Sequence, residues 1–185
     1  MNIFEFLMIL LSLIVGLGVT EILSGIARIL KRDGIRGFGW THGAAGLAVF
    51  FALLQMFWES WGLRTVETWS FLAMLTMLGG PIFLYLMSHM LFPASEDSAS
   101  VKDYYFERAR LLWPLGGFTV VVATLFRPIA FGDPLWVLDN VSAIPILAVC
   151  GLLSVAKSRM LHRVLVPLVL GSVLLDTLTF SHSIA

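Results

Sequence analysis

The stretch from residue 7 to residue 32 reads LMILLSLIVGLGVTEILSGIARILKR, and it is apolar over a length that can cross a lipid bilayer. Polar and small residues recur in it at steps of four, a spacing that predicts one ridge along a helix. The ridge consists of Ser12, Gly16, Thr20, Ser24 and Arg28, with Glu21 and Gly25 beside it. A helix face in contact with lipid would carry Leu, Ile and Val. We therefore expect this ridge to pack against protein, either within one bundle or in a homo-oligomer.

The composition of the whole chain indicates a membrane protein. Of its 185 residues, 58% are hydrophobic and only 13% are charged, and a soluble domain of this length could not bury so much apolar surface. Six segments are long enough to span a bilayer, and each should be a helix because lipid offers no partners to backbone amides. Their approximate bounds are 3–30, 42–63, 68–92, 104–126, 134–156 and 160–181. The prediction is an all-α, six-helix transmembrane bundle that forms a single domain over residues 1–185.

The distribution of Lys and Arg predicts the orientation of the bundle. Ten of the 12 basic residues fall at the first, third and fifth loops, and only Arg64 and Arg127 fall on the other side. Because basic loops stay in the cytoplasm, we expect both termini on the outer, periplasmic side. Tryptophans favour the two interfaces: we expect Trp40 and Trp113 near the inner one, and Trp58, Trp61, Trp69 and Trp136 near the outer one.

Four segments resemble a widespread, uncharacterised family of small bacterial inner-membrane proteins. They read GLGVTEILSGIARIL (16–30), QMFWESWGLR (55–64), WSFLAML followed by GGPIFLYLMSHMLFP (69–93), and YYFERARLLW (104–113). The resemblance covers about the first two-thirds of the chain. It implies a bacterial six-helix topology and an inner-membrane location, and it brings no activity and no site residues with it.

Ionisable side chains in the apolar segments form an inner group of candidate functional residues. Such groups cost about 2.5–3.5 kcal/mol each at membrane depth unless a partner or a wet cavity receives them. Glu21 lies about 6 Å inward of the midplane, too deep for its short side chain to reach water. Tyr85 and His89 are one turn apart on the third helix, so we expect one of them to contact Glu21. The group is either a proton or cation site or a structural clamp between helices.

A second group of polar residues lies toward the predicted outer side. Gln55 and Glu59 are one turn apart on the second helix, and Asp176 lies on the sixth. Together these acids would attract cations, unless they pair with Arg64 and Arg127 as interfacial salt bridges. Asp139 and Asn140 on the fifth helix and His182 near the rim complete this layer. The predicted polar path comprises Glu21, Gln55, Glu59, Tyr85, His89 and Asp176.

The histidines suggest an alternative function. His42, His89 and His162 all fall toward the inner side and could ligate a haem in pairs across helices. The signal is weak because their spacing follows no haem motif and because we expect two of the three to reach the membrane interface. We therefore expect no cofactor and keep haem as the alternative; a zinc site is disfavoured because no two of these residues share a helix turn.

The sequence favours a protein that passes or senses a small cation or a proton. No nucleophile and base stand in a catalytic arrangement, since Ser88 and His89 are adjacent and point to different faces, so we do not expect an enzyme. The net charge of zero gives no attraction to nucleic acid, and the lone Cys150 excludes an intrachain disulfide. The expected partners are the lipid bilayer and further copies of the chain. The rival hypotheses are a haem- or quinone-binding redox protein and a non-catalytic membrane subunit.

Overall fold

The computed structural model describes residues 3–34, 39–93 and 101–180, and these form six α-helices. They are α1 (Ile3–Asp33), α2 (Trp40–Ser60), α3 (Phe71–Leu91), α4 (Val101–Phe131), α5 (Leu138–Val155) and α6 (Arg159–Phe180), with a short 3-10 helix (Trp61–Leu63) after α2. The all-α, six-helix prediction is confirmed. Five of the helices are long and apolar enough to cross a membrane, and α5 contributes a shorter apolar helix, Ala143–Val155. This composition suggests a membrane protein.

Two helices run further than the sequence predicted, and each ends at a glycine. α1 continues from the predicted end at residue 30 to Asp33, where Gly34 adopts a φ of 63°. α4 continues from the predicted end at residue 126 to Phe131, where Gly132 adopts a φ of 71°. The left-handed backbone conformation of both glycines lets their N–H groups close the last turn of the helix. These helix ends are therefore set by backbone geometry and not by the loss of apolar character.

Helices α2 to α6 form a closed ring. α2 packs beside α3, α3 beside α4, α4 beside α5 and α5 beside α6, and α6 returns to pack along α2. α1 packs on α2 and α3 from outside this ring. Side chains of non-adjacent helices meet inside the ring, as where Tyr105 of α4 contacts His42 of α2 and His162 of α6. The ring interior is therefore the place where residues from distant parts of the sequence come together.

α1 presents to the bundle a different face from the one formed by the ridge of small and polar residues. Its buried stripe consists of Phe4, Leu7, Leu11, Val15, Gly18, Ile22, Gly25 and Ile29. Ser12, Gly16 and Thr20 are exposed. Residues spaced by four drift about 40° per step around a helix, whereas the mixed three-and-four spacing of the buried stripe stays on one face. Ser12, Gly16 and Thr20 of the ridge therefore do not pack against the described part of the chain, whereas Gly25 beside the ridge does.

Two glycines of the buried stripe allow close helix contacts. A Cβ at Gly25 would collide with the ring of Phe92, and a Cβ at Gly18 would lie 2.8 Å from a methyl carbon of Leu53. Because glycine lacks this atom, α1 can approach both α2 and the end of α3. Gly16, on the opposite side of α1, has no atom of the described residues within 4 Å of such a Cβ.

Candidate functional site: an outer cleft, a seam pair and a buried network

Glu21 and His89 meet at the seam between α1 and α3. The His89 Nδ1 atom lies 3.3 Å from the Glu21 Oε1 atom. The Tyr85 ring lies one turn from His89, with the ring centroids 6.4 Å apart. The side chain of His89 is 62% exposed and that of Glu21 is 29% exposed, so this seam pair lies at the outer rim of the contact between the two helices. The predicted contact is present, but it lies on the flank of the bundle and not in the ring interior.

Ser88 points away from its neighbour His89. Its side chain is buried, its hydroxyl donates to the Tyr85 carbonyl at 2.7 Å, and its oxygen would lie 3.6 Å from a Cβ at Gly18. Ser88 therefore contributes to the packing of α3 on α1 and does not form a dyad with His89.

A cleft of about 200 Å³ opens between α2, α3 and α4, near the end of α2 and the start of α3. We call it the outer cleft. It is lined by Met56, Glu59, Ser60, Leu63, Thr76, Met77, Pro81, Ala123, Phe126 and Arg127. Glu59 and Arg127 supply its charge, and the hydroxyls of Ser60 and Thr76 supply further oxygen atoms. The cleft thus combines a carboxylate with several neutral oxygens in an otherwise apolar wall.

A chain of hydrogen bonds holds the Glu59 carboxylate. The side-chain amide of Gln55 donates to Glu59 Oε1 at 2.8 Å, and the Thr177 hydroxyl lies 3.3 Å from the Gln55 side-chain oxygen. Because Thr177 belongs to α6, this chain ties α6 to α2. Asp176, the neighbour of Thr177, lies close enough for its charge to act on Glu59. The structure therefore brings Gln55, Glu59 and Asp176 together between α2 and α6. The seam pair lies elsewhere, between α1 and α3.

The two arginines of the predicted outer side do not take the role of neutralising these acids. The Arg127 Nε atom lies 2.9 Å from Asp133, an acid that the sequence analysis did not consider. Arg64 donates to the Trp61 carbonyl at 3.3 Å and lies over the Trp61 ring. Because Arg127 is bound to Asp133, it does not form an ion pair with the Glu59 carboxyl group in the outer cleft.

The remaining residues of the predicted outer layer contribute little to the cleft. The Asn140 side chain donates to the Leu135 carbonyl at 2.8 Å and so holds the start of α5. The side chain of Asp139 and the whole of His182 lie outside the residues that the structure describes.

The proline of α3 adds a backbone oxygen to the surroundings of the cleft. Pro81 has no N–H, so the Met77 carbonyl one turn earlier lacks its usual helical donor. Met77 and Pro81 both line the cleft. Membrane proteins use carbonyls freed in this way to bind cations where the helix borders a cavity.

A buried network joins α4 to α6 at the opposite end of the ring. The Trp113 indole N–H donates to the Tyr105 oxygen at 3.0 Å, and the Tyr105 oxygen lies 3.1 Å from His162 Nδ1. His162 Nε2 lies 3.2 Å from the carbonyl of Ala156, the residue that ends α5. All three side chains are at most 2% exposed. Their polar atoms are therefore satisfied by one another and by the backbone.

The partners fix the direction of each hydrogen bond in this network. A carbonyl only accepts, so His162 Nε2 carries the proton that is donated to Ala156. A neutral imidazole then accepts at Nδ1, which makes Tyr105 the donor to His162 and the acceptor from Trp113. Each hydroxyl and ring nitrogen has one defined role, and an arrangement of this kind favours one packing of α4 against α6.

His42 and His162 are both 1% exposed, so both side chains lie inside the bundle and not on its surface. The His42 ring stacks near Tyr105 and lies 5.1 Å from the Phe92 ring, and Phe106 covers His162 edge-on. Trp113, expected near the inner interface, is buried as well. Tyr105 and Trp113, eight residues apart, share one face of α4, a signal that is lost when Trp113 is treated only as a marker of the membrane interface.

The haem alternative requires changes in this arrangement. Both ring nitrogens of His162 are engaged, and His89 Nδ1 is engaged with Glu21. An iron could bind His162 only if the imidazole gave up Tyr105 or the Ala156 carbonyl. Within the described part of the chain, no group of three or more His, Cys, Asp or Glu side chains is arranged to hold a metal ion.

Comparison with known proteins does not add a function to this geometry. The chain matches no protein-family model, no curated protein and no solved structure.

Proposed function

We propose that the chain is a polytopic protein of a bacterial inner membrane that passes a small monovalent cation or a proton through the ring of α2 to α6. Both termini lie on the periplasmic side, because ten of the 12 basic residues fall at the first, third and fifth loops. In this orientation the outer cleft faces the periplasm. All six helices cross the bilayer, with α5 completing the ring.

The observation that carries the proposal is the position of Glu59. Its carboxylate lines the outer cleft, is held by Gln55, and faces a cleft whose one lining arginine is bound to Asp133. When ionised, a carboxylate that is held in place without a basic partner raises the local concentration of cations. Asp176 adds a second carboxyl group nearby.

The other oxygens of the cleft suit a small hard cation. The hydroxyls of Ser60 and Thr76 donate to backbone carbonyls and keep lone pairs with which to accept or to ligate. The freed carbonyl of Met77 would provide a neutral ligand of the kind used in cation pathways. One carboxylate with several neutral oxygens matches a monovalent ion or a hydronium ion better than a divalent metal, which takes more carboxylates.

Passage across the membrane requires the ring to open below the cleft. Between the outer cleft and the buried network lies a layer of fully or almost fully buried apolar side chains: Leu84, Met87, Leu153 and Val166. The sequence Gly79-Gly80-Pro81 lies within the continuous helix α3 directly above this layer, and a helix bends most readily at such a site. A change of bend there would move the lower half of α3 and open a route.

Flux in liposomes tests the proposal. Purified protein reconstituted with a pH-sensitive dye inside, or with a cation-sensitive dye, should give flux above that of empty liposomes when a gradient is imposed. We expect Glu59→Gln to lower this flux by about tenfold or more, because the neutral amide keeps the shape of the side chain and removes the charge. Glu67→Gln, at an exposed acid in the loop before α3, is the matched control and should leave the flux unchanged.

Two outcomes would overturn the proposal: wild-type flux equal to that of empty liposomes, and equal flux from wild type and Glu59→Gln. A Soret band in the absorbance spectrum of the purified protein would favour the haem alternative. A non-catalytic subunit would show no flux of its own, and its polar substitutions would change assembly alone.

A further inference from the structure

We propose that the ion received by the outer cleft is a proton, and that Gln55 and Thr177 are positioning residues that hold the Glu59 carboxyl group both with and without it. This choice of ion rests on the proposed function, which leaves a proton and a small monovalent cation open. The observation that decides between them is a row of hydrogen-bonded side chains from α2 to α6, which we call the polar row: Glu59, Gln55 and Thr177.

The Thr177 hydroxyl has one hydrogen and two neighbouring acceptors. Its oxygen lies 2.8 Å from the Val173 carbonyl oxygen and 3.3 Å from the Gln55 side-chain oxygen. Since both of these oxygens only accept, the shorter contact takes the hydrogen. The Gln55 oxygen then faces the Thr177 oxygen with no hydrogen between them. While Glu59 is ionised, the polar row is therefore one hydrogen short.

A proton on Glu59 supplies the missing hydrogen. When the side-chain amide of Gln55 rotates by half a turn, its oxygen and nitrogen exchange places and no other heavy atom has to move. The protonated carboxyl group of Glu59 then donates to the Gln55 oxygen, and the Gln55 amide donates to the Thr177 oxygen. The Thr177 hydroxyl keeps its bond to the Val173 carbonyl. Each contact of the polar row now joins a donor to an acceptor.

Gln55 can therefore hold Glu59 in both of its forms. In the ionised form the Gln55 amide N–H donates to Glu59 Oε1 at 2.8 Å, and in the protonated form Gln55 presents its oxygen at the same place. A carboxyl group that carries a proton has to be held in both forms, whereas a carboxylate that binds a metal ion has to be held only when ionised. The polar row thus matches a proton better than a metal cation.

The charged groups around Glu59 also permit proton exchange. Asp176 of α6 lies close enough for its charge to act on Glu59, and Arg127 of α4 lines the outer cleft but is bound to Asp133. The residues of α3 that line the cleft are uncharged. A hydronium ion in the cleft gives its proton to the Glu59 carboxylate and becomes water. On release the carboxyl O–H bond breaks, and a water molecule takes the proton.

Infrared spectroscopy of the purified protein in lipid tests the proposal independently of flux, because a protonated carboxyl group has its own C=O stretching band. We expect a band that grows as the pH falls and is missing in Glu59→Gln. In Thr177→Val the Gln55 amide loses its acceptor, so the midpoint of this band should move to lower pH by about one unit, a tenfold loss of proton affinity. Thr177→Ser keeps the hydroxyl, and its midpoint should equal that of wild type.

A band that is absent from wild type at every pH, or unchanged in Glu59→Gln, would overturn the proposal. Equal midpoints in Thr177→Val and Thr177→Ser would overturn it as well. Flux in liposomes separates this failure from that of the proposed function, since wild type should carry protons down a pH gradient in a buffer without metal cations. Flux of Na⁺ or K⁺ without proton flux would overturn the proton alone. Absence of flux for every ion would overturn the proposed function, and the proton as the ion passed with it.

Discussion

The buried network and the seam pair hold similar side chains in opposite surroundings. The network encloses Trp113, Tyr105 and His162 inside the ring and pairs each polar atom within the chain. The seam pair leaves most of the His89 side chain exposed beside Glu21. Both lie toward the same end of α3, which runs to Leu91, next to Phe92. The comparison shows that the position of a polar residue along a helix says little about its burial, because burial depends on the direction in which its side chain points.

The largest expected effect on stability is that of Tyr105→Phe. Removing this hydroxyl leaves the Trp113 N–H and the His162 Nδ1 atom without their partner, and each unsatisfied buried group costs about 1–3 kcal/mol. The free energy of unfolding, measured by reversible denaturation in mild detergent, should fall accordingly. Tyr85→Phe, which alters a half-buried tyrosine at the seam, is the control and should change the free energy less. Equal losses in the two variants would mean that the network is no better enclosed than the seam.

The two faces of α1 can be compared through their glycines. Gly25→Ala places a methyl group against the buried Phe92 ring, and overpacking of this kind costs about 1–3 kcal/mol. Gly16→Ala meets no atom in the described part of the chain and gains up to about 1 kcal/mol from the better helix former. Denaturation of monomeric protein in detergent measures both values. A loss for Gly16→Ala as large as that for Gly25→Ala would show that the side of α1 around Gly16 also packs within the chain.

The smallest expected effect is that of breaking the seam pair in the monomer. Exposed ion pairs contribute about 0.2–1 kcal/mol, and His89 is charged only when protonated. A double-mutant cycle with Glu21→Gln and His89→Gln should therefore give a coupling energy of about 1 kcal/mol or less in detergent. A coupling energy several times larger would show that the pair lies in an enclosed site, as the buried network does.

The helical segments could be predicted from the sequence because they depend only on the local composition along the chain. Apolar runs determine where a chain can cross a bilayer, and the six predicted segments match the six helices to within a few residues. The Glu21–His89 contact was also foreseen, because an acid at membrane depth needs a partner and His89 lies at a suitable depth. The helix ends at Asp33 and Phe131 were missed because glycine conformation, not hydropathy, determines them.

The rest of the candidate site depends on the directions in which helices face one another. Tyr105 and His162 are 57 residues apart in the chain, and nothing in either helix alone shows that they meet. Rules for interfacial tryptophan and histidine treat residues singly, so they do not indicate that Trp113, His42 and His162 are enclosed by other helices. The pairing of Arg127 with Asp133 was missed for a similar reason, since it depends on how the chain turns between α4 and α5.

The outer cleft and the seam can also be compared in function, by replacing one acid at each place and measuring flux in the same assay. Glu59 lies in the outer cleft and Glu21 lies at the seam on the flank of the ring. The most direct test measures cation or proton flux in liposomes for Glu59→Gln and Glu21→Gln at equal reconstitution. A route through the ring predicts that Glu59→Gln loses about tenfold or more of the wild-type flux while Glu21→Gln keeps most of it. Loss of flux in Glu21→Gln with full flux in Glu59→Gln would contradict the account and move the route to the seam.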